Sequence, residues 1–190
     1  MHPSFLAIQR KLDEARLLGS RTLANGAQLI GHVPHVAPQA YLHTIYAPLD
    51  EPEISSIEQQ LGRKLPEDFR DFLRTTNGLK VFSDSLSIDG LRKNYIRTGD
   101  EAIQPYCITT PNIYERPANA PSQCIFIGGH SHNGHLIYID ALTNKVHRCR
   151  RTSSKSLESW PDFWTMLTAE VDRISIKMVA ESQNRHSHAL

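Results

Sequence analysis

Residues 54–79 read ISSIEQQLGRKLPEDFRDFLRTTNGL, and the punctuation of this stretch decides the fold. The residues leading into it, Asp50, Glu51, Pro52 and Glu53, suit a first helical turn: carboxylates there face the positive end of the helix dipole, and proline needs no amide partner. Ile54, Ile57 and Leu61 fall on one face and Gly62 suits the C-terminal end, which predicts a short amphipathic helix. The same grammar then repeats. Pro66 opens a second helix, Glu67 and Asp68 follow it, Phe69, Phe72 and Leu73 make the apolar stripe, and Asn77 with Gly78 stops it. Past Gly78 the period changes from helical to strand-like in LKVF, LSIDGL and NYIR, with breaks near Asp84 and Gly90.

Downstream, residues 100–123 include the Pro-rich run ITTPNIYERPANAPS, which reads as a long loop with one short helical turn. Three strands are predicted next, CIFIG at 124–128, HLIYID at 135–140 and KVHRCRR at 145–151, with loop lengths that suit antiparallel hairpins. Trp160, Phe163, Trp164, Leu167, Val171, Ile174 and Met178 recur at steps of three and four and predict a final helix, with Ser159 and Asp162 as a capping box and Pro161 in its first turn. The polar residues 181–190 read as a frayed tail. Upstream, a helix is expected over residues 4–18, capped by Ser4, stopped by Gly19, and striped by Phe5, Ile8, Leu12 and Leu17. Gly26, Gly31, Pro34, Pro38 and Pro48 interrupt QLIGHV and AYLHTIYA, which resemble short strands or an extended arm. The expected organisation is an N-terminal extension at 1–48 packed on a core domain at 49–180.

Composition narrows the function. A chain of 190 residues with 39% hydrophobic and 22% charged residues can form one domain with an ordinary core. Its net charge of +1 gives no global electrostatic reason to bind nucleic acid or a membrane. Arg10, Lys11, Asp13, Glu14 and Arg16 stand where a secretory signal needs an apolar run, and no segment reaches the ~20 apolar residues that span a bilayer. Cys107, Cys124 and Cys149 form no C-x-x-C pair, and the last two sit in strand-like runs, so the expected setting is a reducing cytoplasm. Charge is uneven: residues 50–71 hold seven acids (Asp50, Glu51, Glu53, Glu58, Glu67, Asp68, Asp71) against Arg63, Lys64 and Arg70, whereas residues 145–155 hold Lys145, Arg148, Arg150, Arg151 and Lys155 with no acid. This bipolarity is read either as two solvated faces or as one face docking an oppositely charged protein. The basic run lacks neighbouring aromatics for base stacking, so no direct nucleic-acid contact is expected.

Taken in order, these residues resemble the SUKH superfamily, which groups yeast cell-wall-synthesis regulators with bacterial toxin-immunity proteins. The resemblance is carried by the helix, Leu-Pro, helix, Asn-Gly order of residues 54–79, by LSIDGL at 86–91, by FIGGHSHNGHLIYIDALTNKVHRC at 126–149 and by SLESWPDFWTML at 156–167. It runs over roughly residues 50–174, while residues 1–48 and the long Pro-rich connection at 100–123 depart from the family pattern. What it implies is an α+β domain, a mostly antiparallel sheet with helices packed on it, and no catalytic residue to carry over.

The one stretch that looks like chemistry in its own right is GGHSHNGH at 128–135. His130, His132 and His135 offer imidazoles for a metal, but no H-E-x-x-H or cysteine pattern accompanies them, and Asp140 is the nearest downstream carboxylate. Asn133 and Gly134 suit the positive-φ positions of a short hairpin, which explains the loop without any ligand. No G-x-S-x-G elbow and no phosphate-cradling glycine loop is present either. The expectation is a non-enzyme without cofactor or metal: an immunity protein of a polymorphic toxin system that binds a cognate protein toxin, such as a nuclease. The alternatives are a regulatory scaffold of the cell-wall-regulator type and, more remotely, a small metalloenzyme on the histidine loop. Candidate partner contacts, chosen by loop position and polarity, are Asp84, Asp89, His130, His132 and Asn133.

Overall fold

The computed structural model describes the backbone of residues 1–187 and the side chains of residues 1–178. Among these, nine strands form one antiparallel sheet in sequence order: β1 (Ser20–Thr22), β2 (Gln28–His32), β3 (Tyr41–Ile45), β4 (Leu79–Val81), β5 (Leu86–Ile88), β6 (Cys124–Gly129), β7 (Leu136–Asp140), β8 (Val146–Arg150) and β9 (Ser153–Trp160). The helices are α1 (Pro3–Asp13), α2 (Glu51–Leu61), α3 (Glu67–Thr75) and α4 (Phe163–Ser187). The fold is α+β, as expected.

Alternation along the strands explains how the layers meet. Ile45, Leu79, Val81, Leu86, Ile88, Ile125, Ile127, Ile137 and Ile139 point to one face, where they join Phe5 and Ile8 of α1, Ile54 and Ile57 of α2, Phe69 and Phe72 of α3, and Phe163 and Leu167 of α4 in a single core. The paired helices have the predicted ends. Asp50 accepts from the Glu53 amide at 2.9 Å while Glu53 accepts from the Asp50 amide at 3.1 Å, a reciprocal cap, and Gly62 ends α2 at φ 65°. Residues 1–48 supply α1 and three strands of the same sheet, with Phe5, Ile8 and Leu12 in the main core.

Several expectations are corrected. His2, not Ser4, caps the first helix, because its Nδ1 accepts from the Ser4 amide at 3.2 Å. That helix tightens into a 3₁₀ turn over Glu14–Leu18, which swings Leu17 out to 95% exposure. NYIR is not a strand: Tyr95 and Ile96 stand in solvent on an irregular run. SSKSLESW, too polar to read as a strand, forms the edge strand β9, so the last helix starts at Phe163 and Asp162 caps it, accepting from the Thr165 amide at 2.7 Å. The stripe of that helix holds through Ile174, but Met178 is exposed. The tail expected at 181–190 lies outside the residues with described side chains, and 188–190 outside the described residues altogether.

Candidate partner-binding site

Since Leu86 and Ile88 enter the core, Ser87 and Asp89 turn to the opposite face of the sheet, as does Lys80 between Leu79 and Val81. From the segment that follows, Tyr106, Cys107, Thr110, Pro111 and Glu115 border this second face. They are held by a bridge between Gly90 and Cys107, and by Asn112, whose amide donates to the Phe126 carbonyl at 2.6 Å and accepts from the Phe126 amide at 2.9 Å. Between the segment and the sheet opens a cleft of about 410 Å³, whose lining includes Asp84, Asp89, Tyr106, Cys107, His130 and Arg151. That is the size range of ligand and side-chain pockets.

Three of the five predicted contact residues therefore share one cleft: Asp84, Asp89 and His130. Asp84 sits at its lip on the turn between β4 and β5, where Phe82, Ser83 and Asp84 have φ of 52°, 53° and 67°. Three successive left-handed residues with side chains are strained. The turn is held by the Ser83 amide donating to the Leu42 carbonyl at 2.8 Å and the Ser85 hydroxyl donating to the Phe82 carbonyl at 2.7 Å. The Asp84 carboxylate accepts from Lys80 and from the Tyr106 hydroxyl, each at 3.1 Å, and the Lys80 ammonium also lies 3.9 Å over the Tyr106 ring.

Asp89 is different. Only 6% of its surface is exposed, and among the described residues no side chain or amide hydrogen-bonds its carboxylate. Burial pushes its carboxyl up to about 7, with Lys80 opposing weakly.

His130 faces inward, away from the role of a free loop histidine. Its Nε2 lies 2.5 Å from Glu170 Oε2 on α4, and Arg173 grips the same carboxylate with Nη2 at 2.7 Å and Nε at 3.0 Å. Burial pushes the Glu170 carboxyl up, but the hydrogen bonds from His130 and Arg173 outweigh it and hold it at about 2. The loop closes by the His130 amide donating to the His135 carbonyl at 2.9 Å. Only Gly134 takes a positive φ, 67°; Asn133 contributes through its side chain, accepting from the His135 amide at 2.9 Å. This is a six-residue loop with an Asx turn, in which Asn133 does not take the positive φ expected of it. His132 and Asn133 are exposed at its tip, outside the cleft lining, and burial together with the neighbouring His130 and Lys177 charges lowers the His132 imidazole. Among the described residues no group of three or more His, Cys, Asp or Glu side chains converges as a metal-ligand set. None of the described helices is long and apolar enough to cross a membrane.

The uneven charge of the sequence is largely cancelled in three dimensions. Buried Glu58 accepts from Arg70 at 2.5 Å, from Lys64 at 2.7 Å and from the Leu65 amide at 3.0 Å, and Arg74 ties together Glu51, Glu67 and Asp71. In the basic run, Arg148 pairs with Glu158 at 2.9 Å and Arg151 with Glu115. The acidic run is thus a cross-linked surface between α2 and α3 and not a free acidic face.

Sequence reasoning missed Tyr106, Cys107 and Arg151 as cleft residues. The first two lie in a segment without periodicity, and Arg151 was read only as part of a charge run. The alternation of LSID is the signal that Ser87 and Asp89 share a face. Compared with known proteins, residues 48–169 match the family described as SMI1 / KNR4 family (SUKH-1). A search of curated proteins returned no match.

Proposed function

The chain belongs to the SMI1/KNR4 (SUKH-1) family, and from that premise we propose that it is a non-catalytic immunity protein, acting in the cytoplasm, that binds a cognate protein toxin stoichiometrically and blocks it. The observation that carries this reading is the composition of the sheet's second face. The segment bordering it presents Tyr95, Tyr106, Ile113 and Tyr114 to solvent, with exposures of 75%, 48%, 48% and 78%, and Tyr106 lines a cleft with acidic residues at its lip and floor. Tyrosines of this kind supply contact area at low entropic cost and recur at interface hot spots. The helix-covered face offers less, because its charges are already paired with one another. Residues 100–123 are also, with residues 1–48, a part that departs from the family pattern, which suits a surface that selects one partner among many.

The test is capture of the tagged full chain from its own cells together with growth of cells making the toxin encoded beside its gene. The proposal expects a one-to-one complex with that gene product and growth restored by co-expression. A complex with none of the neighbouring gene products, or no rescue despite soluble co-expression, would contradict it.

A further inference from the structure

Among the described residues three carboxylates are buried: Glu58, Asp89 and Glu170. Two carry their own cations, since Glu58 is held by Arg70 and Lys64, and Glu170 by Arg173, with His130 also hydrogen-bonded to it. Asp89 has none. An ionised carboxylate buried without a partner is strongly unfavourable, and proteins place such groups where something from outside completes them.

The cations near the cleft are not free to complete this one. Lys80 is committed to Asp84 and to the Tyr106 ring, and Arg151 to Glu115. The cleft lining holds three acids, Asp84, Asp89 and Glu115, against Arg151. Its opening is flanked by Tyr106, whose ring already accepts one cation on its face. We infer that the cleft over Asp89 is a subsite for one guanidinium or ammonium side chain, an Arg or Lys carried on the partner protein. The partner's cation enters beneath Tyr106, pairs with Asp89 at the floor, and keeps its alkyl stem against Pro111 and Leu136 in the wall. This inference rests on the partner-binding reading above and names what the partner must present.

The subsite is tested without the partner by titrating the full chain with N-acetyl-arginine amide, with the neutral N-acetyl-citrulline amide as control, while following backbone amide shifts at Asp89, Gly128 and Gly129. The inference expects saturable shifts with the arginine probe and none with citrulline. Asp89→Asn, which keeps the side chain's size and whose folding is checked by thermal melting, should weaken the arginine response by about tenfold or more. Absence of a saturable arginine response in the unsubstituted chain, an equal response to citrulline, or an undiminished response in Asp89→Asn overturns the subsite. The two readings separate cleanly. Capture of the toxin with no arginine response removes the subsite and leaves the immunity role, whereas an arginine response without any captured partner leaves the cation subsite and removes that role.

Discussion

Asp89 and Glu170 are both buried acids, and their environments push them in opposite directions. Glu170 is surrounded by donors and is held well below the ordinary carboxylate range, so it contributes stability above that range that is lost as pH falls toward 2. Asp89 has only desolvation and sits near 7, so folding is favoured while it is protonated, and that contribution is lost as pH rises from about 4 through 7. Asp89→Asn should therefore stabilise the free protein, by roughly 2–4 kcal/mol at pH 8 and progressively less toward pH 5. Denaturant melts of the two proteins across that range check this, and a stability difference that does not change with pH would contradict it. A residue that costs stability and lines a cleft is the pattern of a site kept for binding. At this scale the sequence was informative about polarity and loop position, and so it picked out Asp84 and Asp89. It picked out His130 on the same grounds as a partner contact, but not its pairing with Glu170, which lies 40 residues away and is brought near only by the packing of α4 on the sheet.

Among the elements, the paired helices were legible because their ends are local: caps, prolines and glycines act within a turn or two. What Asn77 does was not. It reads as a helix stop, yet its amide donates to the Leu91 carbonyl at 2.8 Å and accepts from the Leu91 amide at 2.6 Å, fastening the end of α3 to the chain leaving β5. The fit is close enough that a Cβ on Gly90 would meet the Asn77 carbonyl oxygen at 2.7 Å, and one on Gly78, at φ 86°, would meet the Ile88 carbonyl at 2.6 Å. Asn77→Ala leaves two backbone groups of Leu91 without partners and should cost about 2–3 kcal/mol. It should also raise hydrogen exchange at Leu91 and along β5; a loss below about 0.5 kcal/mol would mean the clamp is incidental. Segment 91–123 was unreadable for a related reason. Beyond the Asp89 amide, which donates to the Ile127 carbonyl at 2.8 Å, β6 has no strand beside it on that edge, and Asn112 takes that place by bonding both backbone groups of Phe126. No periodicity announces a side chain that substitutes for a strand. The edge strand β9 escaped for want of apolar residues, since five of its eight positions face solvent.

Across the whole molecule, one sheet divides two kinds of surface. Its helix-covered side is a packed core beneath charges that neutralise one another, and its other side carries the cleft, the strained turn at Asp84 and the half-exposed Tyr106. The first 48 residues extend that sheet by three strands and so enlarge the second face: Tyr41, Thr44 and Tyr46 line an adjoining cavity of about 380 Å³ that meets the cleft at Asp84 and Tyr106. The central claim is that this face, and not the helical one, receives the partner. It is tested most directly by calorimetric titration of the captured toxin with the unsubstituted chain, with charge reversals at Asp84 and Asp89, and with Gln59→Lys on the exposed side of α2. The account predicts one-to-one binding that the cleft-side reversals weaken by about tenfold or more and that Gln59→Lys leaves within about threefold. Affinity unchanged by every cleft-side reversal, or lost to Gln59→Lys alone, would contradict it.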